Sequence, residues 1–208
     1  MHNAKKGFTL VELLVTIGLF SIIVAIAAGS FTNALRTQRQ VALLISAQSN
    51  AGLSLEQVAR EIRTGYLFCD NPGNTPSNPL ISLPCAAINP ATGLPHCTTN
   101  AGIWTCDLLD FYNGAGSNVD YSLVNGAIAR SENGGTAQPI TSGNTRVQYL
   151  TFTIFGNGEG DHWNPRITIS MGISPSTTDA SVADNVLNLQ TTISARAIDC
   201  TPGPSASC

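Results

Sequence analysis

Residues 8–31 read FTLVELLVTIGLFSIIVAIAAGSF, and Glu12 is the one ionisable side chain in the run. A helix over these 24 residues rises about 36 Å, enough to cross a hydrocarbon core of ~30 Å. Apolar residues occupy every face instead of one stripe, which argues against the buried core helix of a soluble domain. A secretory signal peptide would also start basic and would offer a small-residue cut site at Ala27-Ala28-Gly29, but its apolar region rarely holds a carboxylate. A plain signal anchor leaves Glu12 without a reason. A carboxylate near one end of a membrane span costs a few kcal/mol unless a positive charge meets it. If the chain is cut after Gly7, the new α-amino group of Phe8 supplies that charge. The first amine of a helix does not easily fold back on the same helix's fifth residue. The partner is therefore expected on a neighbouring copy, which makes burial of the acid conditional on assembly.

Outward from this run the composition changes. The chain has 208 residues, 43% hydrophobic and 11% charged, enough for one compact domain with its own core beside the apolar segment. So few charges with so many apolar residues exclude a disordered chain. Lys5 and Lys6 are the only lysines, and beyond Gly7 eight arginines face thirteen acids. An acidic, lysine-free body argues against nucleic acid as a partner, because phosphate affinity rests on clustered Lys and Arg.

No proline precedes Pro72, and a helical pattern continues past the membrane run. Leu35, Leu44, Ala51, Leu55, Val58, Ala59 and Ile62 recur at spacings that form one stripe, with Arg36, Arg39, Gln48, Glu56, Arg60 and Glu61 mainly off it. Gly18, Gly29 and Gly52 weaken the helix by roughly 1 kcal/mol each relative to Ala, and Thr64-Gly65 is its expected stop. Residues 66–106 read as a loop-rich stretch dense in Pro, Asn, Gly and Cys, with DNPGNTPSNP as its clearest run of turn signals. Beyond it the period becomes two, predicting strands over 107–112, 119–124, 127–131, 146–155, 166–173 and 187–197. Asn125-Gly126 is a hairpin signal, and a parity shift near Tyr149-Leu150 predicts a bulge. One-sided strands need a cover for their apolar face, and the stripe on the second half of the helix is available. The expected fold class is α+β: a long amino-terminal helix laid on an antiparallel sheet of five or six strands.

The stretch Lys5-Lys6-Gly7-Phe8-Thr9-Leu10-Val11-Glu12-Leu13-Leu14 resembles the prepilin processing signature of type IV pilins and type II secretion pseudopilins. The resemblance implies cleavage between Gly7 and Phe8 by a membrane aspartyl prepilin peptidase, and N-methylation of Phe8. It places Glu12 where the family carries its acidic assembly residue. It also implies a pilin-like fold, and as partners other pilin or pseudopilin subunits, the inner-membrane assembly platform, and membrane lipid before assembly. Arg36 and Arg39 nearly balance Lys5 and Lys6 across the span, so the cytoplasmic placement of the short leader leans on the resemblance. The chain then divides into a cleaved leader (1–7), a transmembrane and filament-core helix (8–34), an amphipathic helix (35–65), the Cys- and Pro-rich loop region (66–106), the sheet (107–198) and a tail (199–208). The expected location is the inner membrane, then a periplasmic or extracellular filament. The length, large loops and cysteines are more like a minor pilin or a J-type or W-type pseudopilin than a compact major subunit. YSLVNGAIAR at 121–130 and Asn164-Pro165-Arg166-Ile167 are similar to the J-type pattern.

All six cysteines, Cys69, Cys85, Cys97, Cys106, Cys200 and Cys208, follow the membrane run. In loops of an exported domain they read as disulfides, with fifteen pairings open and Cys200–Cys208 favoured as a short loop closure. A metal site from Cys85, His96, Cys97 and Cys106 matches no paired zinc spacing. Residues 156–161, GNGEGD, offer oxygen ligands but lack EF-hand spacing and read as a turn. His2, His96 and His162 form no nucleophile–base–orienter set with an identifiable serine, and neither Walker-type nor dinucleotide-type glycine spacing occurs. No cofactor, resident metal or catalytic residue is expected. The expected role is a non-enzymatic structural subunit, with a major pilin or a membrane-anchored adhesin as alternatives.

Overall fold

The computed structural model describes residues 7–69, 89, 92–156, 163–178 and 180–196. One helix, α1, runs over Leu10–Thr64 without interruption. Contacts divide the chain between Leu43 and Leu44 into two units. In the first unit the helical apolar side chains are exposed, and α1 is long and apolar enough to cross a membrane. Leu35, expected on the packed stripe, is 40% exposed.

In the second unit α1 buries Ala47, Ala51, Ser54, Val58, Ala59 and Ile62, a stripe at spacings of three and four. Leu44 is half-buried and Leu55 packs at the margin of the core. The helix stops where expected, but Gly65 stands there for a packing reason. A Cβ on it would lie 2.5 Å from Phe111 Cδ2, so only glycine lets the chain turn so close to that ring. The chain then runs back alongside Tyr112, to which Tyr66 is joined by a pair of main-chain hydrogen bonds.

The strands are β1 Cys97–Asn100, β2 Ile103–Cys106, β3 Leu108–Tyr112, β4 Asn118–Val124, β5 Ala127–Glu132, β6 Gln138–Pro139, β7 Thr145–Phe155, β8 Arg166–Pro175 and β9 Leu187–Ser194. A single turn of helix, α2, occupies Ala180–Ala183. All pairings are antiparallel. They make two sheets where one was expected: a five-stranded sheet in the order β1-β2-β7-β8-β9 and a four-stranded sheet in the order β3-β4-β5-β6. The four-stranded meander is inserted between β2 and β7, so the five-stranded sheet is closed by residues far apart in sequence.

A second correction concerns 66–106, expected as loop: its end forms the β1–β2 hairpin. That hairpin turns on Ala101 (φ 50°) and Gly102 (φ 80°), both in the left-handed region. Alanine rarely adopts that conformation and is no turn signal, so the pattern concealed the hairpin. Asn125 (φ 51°) and Gly126 (φ 76°) make the expected turn between β4 and β5. The β7–β8 register shifts between Val147 and Tyr149, close to the expected bulge.

One core unites these parts. Ala51, Val58, Ala59 and Ile62 of α1 pack with Leu109, Phe111, Val119 and Tyr121 of the smaller sheet and Phe152, Ile154, Ile167, Ile169 and Met171 of the larger.

Candidate functional site at the amino-terminal segment

Gly7 and Phe8 precede the first helical turn outside any helix or strand and are exposed, Phe8 at 78%, so the bond between them is open to a protease. Thr9 caps the helix. Its Oγ1 accepts a hydrogen bond from the Glu12 main-chain N–H at 3.3 Å, and its carbonyl accepts one from Leu13 N–H at 3.2 Å. Thr9-Leu10-Val11-Glu12 is a Thr-x-x-Glu capping sequence, a signal present in the sequence. As the acid in the first turn, Glu12 also faces the positive end of the helix dipole. Among the described residues no cationic group forms an ion pair with its carboxylate.

A shallow apolar groove lies beside Gly18, walled by Leu10, Leu13, Leu14 and Ile17. At ~100° per residue, this face is roughly opposite Glu12. Nothing lies within 4 Å of the position a Cβ would take on Gly18 or Gly29, so neither glycine is required by packing within the chain. The segment thus presents an acid on one side, an aliphatic groove beside a single glycine on the other and apolar side chains throughout. That surface is suited to hydrocarbon or to other helices, since small residues let backbones approach closely.

Cys97 and Cys106, register partners at the open end of the β1–β2 hairpin, form a disulfide with Cα atoms 4.1 Å apart. Cys69 is disulfide-bonded as well, and its Sγ lies 3.8 Å from Cys97 Sγ. Cys85, Cys200 and Cys208 lie outside the described residues, as do residues 157–162 of the glycine-rich turn. The cluster of Cys69, Cys97 and Cys106 sulfurs, all within 4.8 Å of one another, is made of disulfide sulfurs and offers no thiolate to a metal. His96 Nδ1 is held by Asp107 Oδ1 at 2.5 Å, and Asn89 Nδ2 donates to Asp107 Oδ2. The Cys97–Cys106 disulfide removes both cysteines from the metal set considered above.

Two polar clusters were not singled out by the sequence. Glu61, expected off the packed stripe, receives hydrogen bonds from Tyr121 Oη (2.8 Å) and Arg130 Nε (3.1 Å), and Arg130 also reaches Glu132 at 2.9 Å. Burial, and then the Glu61 carboxylate, hold the Tyr121 phenol above its ordinary pKa, so it stays a donor. The Arg130 hydrogen bond holds Glu132 below the usual carboxylate range. On the other face of the same sheet, Asp110 of β3 stands directly opposite Asp120 of β4. Asp110 is 6% exposed and accepts a 2.6 Å hydrogen bond from Asn118 Nδ2.

Residues 2–28 match the family model of the prokaryotic N-terminal methylation motif. The match covers Gly7, Phe8 and Glu12 and stops before the second unit. No curated protein and no solved structure matches the chain.

Proposed function

We propose that this chain is a prepilin-like structural subunit: cut after Gly7, methylated on Phe8, held in the inner membrane by α1, and then packed through that helix into a pilus or pseudopilus. The observation that carries the reading is the methylation motif at residues 2–28 laid over an exposed Gly7-Phe8 bond and a membrane-length helix. Filament packing exchanges lipid contacts for helix–helix contacts, and the groove beside Gly18 gives one neighbour's side chains a seat. Glu12, on the opposite side, pairs with the Phe8 amine of a different neighbour. Two unlike contact sides make a head-to-tail association that extends into a helical array instead of closing as a dimer. A misplaced subunit leaves both charges uncompensated in an apolar medium, which fixes the axial register.

Within that reading the chain is a minor pilin or a J-type or W-type pseudopilin, with an outward-facing sheet domain and no catalytic role. Its partners are other subunits, the prepilin peptidase and the assembly platform. Intact-mass and amino-terminal analysis of the protein extracted from membranes tests it. The expected chain begins at methylated Phe8 when the peptidase is active and at Met1 when it is deleted. A start near Ser30, or an uncut chain beside an active peptidase, overturns the processing claim. The protein's share of sheared filaments separates the roles, since a dominant band identifies a major pilin.

A further inference from the structure

The larger sheet has a second face, and its register gives that face an unusual order. Thr98, Thr105, Thr153, Thr168 and Thr192 are successive partners across β1, β2, β7, β8 and β9. Each strand contributes one threonine to a single rank. The adjacent rank, Ile154, Ile167 and Ile193, is buried against the core, so the threonines point the other way. Thr168 and Thr192 hydroxyls meet at 2.9 Å. Two residues along the strands, Thr151, Ser170 and Gln190 form a parallel polar rank. On the other side the rank contains Ile103, Phe155 and Arg166. Arg166 is the single charged side chain in these three ranks.

The aromatic end of this face is open. Phe155 and Trp163 are 44% and 56% exposed, and their rings meet edge-on with centroids 6.3 Å apart. Ile103, the register partner of Phe155, is 39% exposed. Exposed large apolar groups grouped in this way mark interaction surfaces.

The chemistry of the face selects among occupants. Nucleic acid and other polyanions need clustered basic groups, and there is one arginine. A protein partner needs an apolar centre within a polar rim, whereas here the centre is hydroxyl and the apolar groups lie at the ends, Phe155 with Trp163 at one and Tyr149 with Val186 at the other. A neutral sugar polymer matches both parts. Its hydroxyls exchange hydrogen bonds with threonine hydroxyls, each a donor and an acceptor. The C–H faces of its rings lie on aromatic rings as apolar surface. Sheet twist then decides the form of the polymer. At ~20–25° per strand, four steps turn the rank by about 80–100°. A flat crystalline surface would touch only part of it, while a single chain follows the turn.

We propose that this face binds a single neutral polysaccharide chain, laid across the strands along the threonine rank and stacked at one end on Phe155 and Trp163. The inference concerns the sheet domain and does not rest on filament assembly, so the processing experiment above and the one below fail separately. The test is affinity electrophoresis of the full chain in zwitterionic, sugar-free detergent. Native gels are cast with hydroxyethyl cellulose, laminarin, dextran or galactomannan.

Retardation is expected with at least one of these polymers, equally at low and high NaCl. Trp163→Ala and Phe155→Ala abolish it, and the pair Thr168→Val with Thr192→Val weakens it several-fold while leaving the melting temperature in place. Unchanged mobility with all four polymers overturns the proposal, as does retardation that survives Trp163→Ala. Retardation by pectate or heparin alone would assign the face to polyanions and also overturn it. So would concentration-dependent mobility in polymer-free gels that Trp163→Ala removes, because the occupant would then be a second copy.

Discussion

Arg130 Nε lies 3.1 Å from Glu61 Oε2, joining the last turns of α1 to the smaller sheet through a pair whose side chains are only 20% and 26% exposed. Tyr121 donates to the same oxygen, so removing Glu61 strands a guanidinium and a phenol together. Loss of one partner of a fully buried pair costs ~3–5 kcal/mol, and partial exposure brings the expectation for Glu61→Ala to about 2 kcal/mol. Arg63→Ala, which breaks a 4.0 Å contact with Glu56 between half-exposed side chains, is expected to change stability by less than ~0.5 kcal/mol. Urea unfolding of both variants in detergent checks the contrast.

The glycines of α1 and its end respond in opposite directions. Gly65→Ala places a methyl 2.5 Å and 2.8 Å from two Phe111 ring carbons and 3.1 Å from Phe68 Cζ, all buried, and overpacking of this kind costs ~1–3 kcal/mol. Gly52 lies mid-helix with nothing within 4 Å of its would-be Cβ, so Gly52→Ala is expected to stabilise by ~0.5–1 kcal/mol. Thermal melts read both signs. A melting temperature unchanged by Gly65→Ala would show that the Phe111 ring yields.

What the sequence made legible follows from how local each feature is. The membrane-length helix, its stop, the six strands that were expected and the Asn125-Gly126 turn are written in neighbouring residues. Division into two sheets is not, because Cys106 and Phe152 pair across 45 intervening positions that alternation alone does not connect. Ala101 hid the β1–β2 turn, since its left-handed conformation is imposed by the hairpin and not preferred by the residue. At the amino-terminal site the motif was readable in full, while the Thr9 cap was present as Thr-x-x-Glu and overlooked beside the stronger signal. The carboxylate pair Asp110–Asp120 was out of reach, as it depends on the register of two strands and on burial.

Asp110 gives the fold a pH dependence with a definite sign. Burial first, then the hydrogen bond and charge of Asp120, push its carboxyl from the ordinary 3.8 up to about 7. A group with its folded pKa above its unfolded one binds a proton that unfolding releases, so stability is full below about pH 4 and declines as pH rises to about 7. At ~1.4 kcal/mol per pH unit the decline amounts to at most about 4 kcal/mol. Asp110→Asn keeps an acceptor for Asn118 Nδ2 and removes the titration, so its melting temperature is expected to vary less between pH 5 and pH 7.5. An Asn variant that tracks the parent across that range would remove Asp110 from the explanation.

The Thr9 cap on the Glu12 main chain and the charge of the Glu12 side chain are separable by substitution. Its main-chain N–H is capped by Thr9 Oγ1 at 3.3 Å, and in a capping sequence glutamine serves as well as glutamate at this position. Glu12→Gln and Glu12→Ala both leave that main-chain bond in place and remove the charge, whereas Thr9→Val removes the cap acceptor and keeps the charge. If pairing with a neighbour's Phe8 amine controls incorporation, Glu12→Gln should reduce assembled protein nearly as far as Glu12→Ala. Thr9→Val should then assemble close to normally, despite about 1 kcal/mol lost at the helix start. Immunoblots of sheared filaments, with mass spectrometry to verify methylated Phe8 in every variant, measure the three directly. Normal assembly of Glu12→Gln beside failure of Thr9→Val would make the Thr9 cap, and not the Glu12 charge, the requirement for assembly, and the register argument would have to find another charge.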